Sequence, residues 1–72
     1  MTTKEKVIFF KEHGFSISYI ANRARVVPAT ITRWIREEKG ISKKNENDIE
    51  LALHQIAKEI LQCIGENNDW NL

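Results

Sequence analysis

This sequence of 72 residues contains little cysteine, proline or glycine, and it has no long apolar run. It has one cysteine, one proline and three glycines, while 42% of its residues are hydrophobic. A single cysteine excludes an internal disulfide, and the shortage of glycine and proline argues against a disordered chain. The longest apolar run, 7–10, is far below the ~18 residues of a membrane span. We therefore expect a folded, soluble, cytoplasmic protein with no membrane partner.

Catalytic and metal-ligating patterns are also missing. Neither His13 nor His54 has a second imidazole, thiol or carboxylate at metal-ligand spacing, and neither has a triad partner nearby. We expect no enzymatic activity, no metal, no cofactor and no small-molecule substrate. Cys63 lies on the apolar face of a predicted helix, and we interpret it as a small buried hydrophobic residue, not a reactive thiol.

The charge of the chain is divided between two segments of one domain. Residues 1–44 contain ten Lys or Arg and four Glu, for a net charge of +6, whereas residues 45–72 contain one Lys and six acidic residues, for −5. This division predicts a basic half that faces a polyanion and an acidic half that faces solvent or a basic protein. The alternative is that both halves are ordinary solvated surfaces.

The spacing of the apolar residues predicts helices throughout, so the expected fold class is all-α, a small domain of about four helices. The first predicted helix begins with a capping-box pair, Thr2 and Glu5, and the third has Pro28 in its first turn. The fourth is expected to begin after Asn47, interpreted as its N-cap. The predicted ranges are 3–13, 17–24, 28–39 and 48–64.

The second and third predicted helices are short and joined by about three residues, which is the organisation of a helix-turn-helix. The residues that matter here are Ile20-Ala21, Ala24, Val26 and the run PATITRWI at 28–35. On these residues the segment 16–36 resembles the helix-turn-helix of phage and bacterial regulators of the repressor type. The resemblance implies that Ala21 lets the two helices approach and that the core includes Ile20, Val26, Ile31 and Trp34.

The resemblance also implies that the start of the third helix faces DNA bases, through Pro28, Ala29, Thr32 and Arg33. Arg33 can present two donors to guanine, while Thr32 and Ala29 can touch a thymine methyl group. No acidic residue interrupts 16–36. Side chains suited to phosphate contacts lie in and after this segment and comprise Ser16, Ser18, Arg23, Arg25, Arg36, Lys43 and Lys44.

Two positions depart from the usual pattern of the motif. Arg25 stands where glycine is usual in the turn, and Val27 stands where a serine or threonine usually caps the third helix. A non-glycine residue at positive φ is strained by roughly 1 kcal/mol, and valine has no oxygen to accept from the first backbone amides. The turn is therefore open to a different shape.

These features leave two hypotheses. The first is a small transcriptional regulator of a phage-type genetic switch in a bacterial host cell, which binds duplex DNA through its third helix. The second is an antirepressor, since the chain also resembles the small modulators of repression of temperate phages; it would bind a cognate repressor protein and block its DNA binding. The acidic second half and the residues at 25 and 27 motivate this second hypothesis.

The fourth predicted helix has an apolar seam whose residues are spaced by 4, 3, 4 and 3. This spacing predicts either packing on the chain's own core or the interface of a homodimer or heterodimer. The candidate interface residues are Ile49, Leu53, Ile56, Ile60 and Cys63. Beyond the helix, Trp70 and Leu72 are expected either to fold back on the domain or to anchor a partner.

Overall fold

The computed structural model describes residues 1–66, and the predicted roles of Trp70 and Leu72 lie outside them. The described residues form four α-helices and no strand, which confirms the all-α fold class. The helices are α1 (Thr3–Glu12), α2 (Ile17–Ala24), α3 (Pro28–Ile35) and α4 (Lys43–Glu66). No helix among residues 1–66 has the length and apolarity that a bilayer crossing requires.

The starts of α1 and α2 follow the predicted caps. The Thr2 hydroxyl accepts from the Glu5 amide at 3.1 Å, and the Glu5 carboxylate accepts from the Thr2 amide at 2.7 Å. These contacts complete a capping box. They also lower the pKa of Glu5, and the largest cause is the hydrogen bond from the Thr2 amide. At α2, the Ser16 hydroxyl accepts from the Tyr19 amide at 3.0 Å. Both helices therefore begin where local hydrogen bonding dictates.

The first three helices end in the same way. Each is followed by a residue in the left-handed conformation, and the next amide makes a backbone hydrogen bond to the last turn of the helix. The left-handed residues are Gly14, Arg25 and Glu37, at φ angles of 99°, 57° and 60°. The amides of the residues that follow them donate to carbonyls five positions back, at 2.9 to 3.0 Å. This is the Schellman arrangement, which satisfies the terminal carbonyls of a helix.

Two predicted boundaries were wrong by four residues or more. The third helix was expected to reach residue 39, but α3 ends at Ile35 because the left-handed Glu37 stops it. The fourth helix was expected to begin at residue 48 with Asn47 as its cap, but α4 begins at Lys43. There the Ser42 hydroxyl accepts from the Asn45 amide at 3.1 Å, so Ser42 supplies the cap one turn earlier.

The core draws on all four helices. Val7, Ile20, Ile31 and Ile49 are fully buried, one from each helix. Trp34 is 8% exposed and lies in the same cluster, which confirms its predicted place in the core. The acidic α4 packs on the basic α1 and α2, so the two charge segments belong to one packed unit.

Three of the five candidate interface residues on α4 follow the first of the two predicted arrangements, packing on the chain's own core. Ile49, Leu53 and Ile56 are at most 2% exposed and leave no surface for a partner in this fold. The prediction of a buried Cys63 was wrong. Ile60 and Cys63 are exposed because α4 is longer than the core that covers it. The helix has 24 residues, about 36 Å, and runs along a molecule that measures 46 × 21 × 21 Å.

Candidate nucleic-acid interface

The turn between α2 and α3 keeps a sharp bend although it lacks glycine. Arg25 adopts φ 57° and ψ 43°, and its amide donates to the carbonyls of Ala21 and Asn22. The next amide, of Val26, donates to the Ala21 carbonyl at 3.0 Å, and the Val26 side chain is buried. Arginine therefore occupies the left-handed position itself, at a cost of about 1 kcal/mol, and its side chain points to solvent.

The start of α3 is apolar and carries no side-chain cap. Val27 has the extended conformation of an N-cap residue, but no side-chain hydrogen bond caps the helix. Pro28 follows at the first helical position, where its missing amide removes one unsatisfied donor. Val27 is 65% exposed, and Pro28 and Ala29 are exposed beside it. This end of α3 therefore presents an apolar surface to any partner.

The outward face of α3 places one strong hydrogen-bond donor toward solvent. Arg33 is exposed, and among residues 1–66 its guanidinium makes no ion pair and no hydrogen bond. Its neighbour Trp34 points into the core, as the helical spacing requires. Thr32 is half-buried, and its hydroxyl donates to the Pro28 carbonyl at 3.3 Å. Arg33 is thus the side chain on this face that can present two donors in a fork.

Arg23, predicted to contact phosphate, is held by an acid on α4. Its two terminal nitrogens donate to the two carboxylate oxygens of Glu59, one of them at 2.9 Å, and it also donates to the Tyr19 hydroxyl at 3.0 Å. The carboxylate raises the pKa of Arg23, and the guanidinium lowers the pKa of Glu59. A phosphate would have to compete with Glu59 for this guanidinium.

The remaining predicted phosphate ligands differ in availability. Arg25 and Arg36 are exposed and make no ion pair within the described residues. Lys43 lies 3.7 Å from Glu46, and Lys44 lies 2.9 Å from Asp48, but both lysines are more than 80% exposed. The Ser16 hydroxyl caps α2 and keeps its own proton to donate, and Ser18 is exposed.

The structure adds a carboxylate cluster that sequence reasoning missed. Glu50 on α4 accepts from the Thr3 hydroxyl at 2.7 Å and from the Lys6 ammonium at 2.5 Å. His54, one turn later, lies 2.5 Å from the same carboxylate. Lys6 first, then Thr3 and His54, lower the pKa of Glu50 to about 2. The cluster ties α1 to α4. The i,i+4 spacing of Glu50 and His54 was its signal in the sequence, whereas the contact with Lys6 joins positions 44 apart and requires the fold.

A second surface was also missed, an apolar groove between α1 and α4. Its volume is about 380 Å³, and its lining residues are Phe9, Phe10, His13, Phe15, Ala57, Ile60 and Leu61. His13 is held against Phe9, with Nδ1 2.8 Å from the Phe9 carbonyl oxygen and the two ring centroids 4.1 Å apart. The adjacent phenylalanines and the width of the apolar stripe on α4 were the available signals.

Residues 1–66 contain no group of three His, Cys, Asp or Glu side chains that could hold a metal ion. Comparisons with protein-family models, with curated proteins and with solved structures find no match to this chain. The resemblance to helix-turn-helix repressors therefore stays a prediction that depends on the residues and on the geometry of α2 and α3.

Proposed function

We propose that this protein is a small helix-turn-helix regulator of a phage-type genetic switch that binds duplex DNA through α3. The observation that carries the proposal is the pair of adjacent side chains at 33 and 34. Trp34 fixes α3 to the core, and Arg33, about 100° away around the helix, projects to solvent beyond the turn at Arg25. An exposed helix after such a bend suits the major groove.

In this proposal, Arg33 reads guanine through its O6 and N7 atoms, the commonest specific contact in major grooves. Ala29 and the Thr32 methyl group touch thymine, and Pro28 contacts the base edges at the helix start. Phosphates are contacted by the exposed cations Arg25 and Arg36 and by the groups at 16, 18, 43 and 44. The proposed location is the cytoplasm of a bacterial host cell.

Measurement of duplex binding tests the proposal. We expect fluorescence anisotropy to report binding to the intergenic DNA beside the gene, with an affinity that falls steeply with salt. Arg33→Ala should lose discrimination between that DNA and random duplex by about tenfold or more. The matched variant Arg36→Ala should weaken binding to both duplexes equally. Failure of the wild type to bind any duplex at low salt would exclude DNA reading.

A second function is supported by the apolar start of α3. Val27, Pro28 and Ala29 form an exposed apolar surface beside Arg33, and Arg23 is already paired with Glu59. Apolar groups with one central arginine are typical of protein interfaces more than of phosphate-rich ones. An antirepressor of this kind would bind a cognate repressor protein and cover its DNA-facing surface.

One gel-shift series separates the two functions. The pure protein is mixed with the intergenic DNA, with a candidate repressor from a neighbouring gene, and with both together. A shift with the protein alone supports DNA reading, whereas loss of the repressor's own shift, with no shift by this protein, supports the antirepressor. The variant Glu12→Gln, at an exposed site on α1, should give the same result as the wild type in every mixture.

A further inference from the structure

The apolar stripe of α4 continues past the part of the helix that the core covers. Ile49, Leu53 and Ile56 are buried, and Ile60 and Ile64 follow at helical spacing on the same side but are 41% and 42% exposed. On a helix, positions four apart lie on one face, so these isoleucines extend the core stripe into solvent. The chain itself, within residues 1–66, leaves this end of α4 uncovered.

Neighbouring residues enlarge the stripe into one continuous surface. Leu61 is 68% exposed and Phe9, on α1, is 48% exposed, and both also line the groove between α1 and α4. We define the α1–α4 patch as the exposed residues Phe9, Ile60, Leu61 and Ile64 together with this groove. Side chains of this size present on the order of 200 Å² each, so the four expose roughly 400 Å² of apolar surface.

This area is close to the apolar surface that one subunit contributes to a dimer interface of standard size. An interface of standard size takes about 800 Å² from each partner, of which about 57%, or roughly 450 Å², is apolar. The largest apolar patch of a typical monomer measures about 300–600 Å² and is often functional, so the α1–α4 patch is a candidate interaction surface. The α1–α4 patch alone therefore supplies nearly all the apolar surface of such an interface.

We propose that the α1–α4 patch is the interface of a symmetric homodimer of this protein. Its residues include no Lys, Arg, Asp or Glu, so a second copy presents the same uncharged surface and buries no unpaired charge. A two-fold axis brings the same patch together from both subunits. The protruding end of α4 then packs against its counterpart, and each Leu61 approaches the partner's groove.

The dimer deepens the proposed function, and its use in DNA binding rests on that proposed function. Regulators of this fold read DNA with two copies of the recognition helix on successive turns of the major groove. Among the basic residues of the segment 16–36, only Arg25, Arg33 and Arg36 are exposed and make no ion pair within the described residues. A dimer doubles these contacts without any change in the subunit.

Sedimentation equilibrium of the full chain tests the dimer without DNA. We expect a reversible monomer–dimer equilibrium between about 1 and 500 μM. Leu61→Lys should raise the dissociation constant by at least about tenfold, since a charge enters the centre of the interface. Leu51→Lys is the matched control, because Leu51 is the same residue type on the same helix, 59% exposed but outside the patch. It should leave the constant within about twofold of the wild type.

Each outcome supports or overturns the dimer separately from the DNA-binding proposal. A wild type that stays monomeric to 500 μM, or equal effects of the two lysine variants, overturns the dimer. So does a monomer that binds a repressor and loses that binding in Leu61→Lys, since the patch then has a heterologous partner. A dimer sensitive to Leu61→Lys that fails to bind any duplex keeps the interface and removes DNA reading. Unfolding curves of both variants should match when measured well below the dissociation constant of the dimer, because neither leucine is buried and dimerisation then adds nothing to the stability.

Discussion

Arg23 on α2 and Glu59 on α4 form a two-bond ion pair across 36 positions of the sequence. The pair joins the first helix of the helix-turn-helix to the long acidic helix. It also occupies a guanidinium that the sequence alone assigns to phosphate. The carboxylate of Glu59 is therefore an internal competitor of DNA at this position.

Removing this competitor should strengthen DNA binding. Glu59→Gln frees the Arg23 guanidinium for a phosphate, so we expect about a threefold gain in duplex affinity at moderate salt. The slope of log affinity against log salt should become steeper by about one phosphate contact. Glu12→Gln makes the same change in net charge on α1 and should alter the slope little. Equal effects of the two variants would mean that only net charge matters.

A hydroxyl at position 27 should distinguish the two proposed functions. Val27→Thr keeps the branched shape and adds an oxygen that can accept from the first amides of α3, so we expect the free energy of unfolding to rise by about 1 kcal/mol in urea. DNA affinity should be kept or improved.

Val27→Ser adds the same oxygen but removes apolar surface. If the protein is an antirepressor, binding to the repressor should weaken in Val27→Ser more than in Val27→Thr, as measured by titration calorimetry. Equal affinity of both variants for a repressor would show that the apolar start of α3 is not part of that interface.

Two variants of Arg25 separate the energetic cost of its left-handed conformation from the contribution of its charge to DNA binding. Arg25→Gly relieves the positive φ but gives the unfolded chain more freedom, so the free energy of unfolding should rise by only about 0.5 kcal/mol. Arg25→Ala keeps the strain. Both variants should lose the same fraction of duplex affinity, to specific and random DNA alike, if Arg25 contacts a phosphate. A loss confined to Arg25→Gly would instead implicate the shape of the turn.

The Glu50 cluster predicts a pH dependence of stability. The pKa of Glu50 is lowered from 4.5 to about 2, so its contribution is fully present above pH 4.5 and is lost as the pH falls through 2. Because the cluster is partly exposed, we expect Glu50→Gln to cost about 1 kcal/mol at pH 7. The difference from the wild type, followed by urea unfolding, should shrink as the pH falls through 2 and vanish only near pH ~1, below both pKa values. A difference that persists there would indicate a packing effect.

The sequence predicts those parts of the fold that depend on neighbouring residues. The capping box at Thr2 and Glu5, the serine cap of α2 and the inward Trp34 all follow from spacings of three or four positions, and all are confirmed. The extent of α3 and α4 was less predictable. Gly40 offered a more usual helix end than Glu37, and the polar run before Asn47 hid the cap at Ser42.

The candidate site was less predictable because its properties depend on which helix covers which face. The stripe on α4 was visible, but spacing cannot tell that the core covers it as far as Ile56 and leaves Ile60 and Leu61 open. The pairing of Arg23 with Glu59 joins distant positions, so it too requires the fold. Base reading by Arg33 remains a prediction that binding experiments will decide.

Two long-range ion pairs to α4 show where opposite charges of the chain meet. Lys6 on α1 and Arg23 on α2 each meet a carboxylate of α4, about two and a half turns apart on that helix. The acidic helix is thus an internal counterion for the basic helices. A peptide of residues 1–44 alone would lack these carboxylates, and we infer that it would bind polyanions more tightly, and less selectively, than the whole protein.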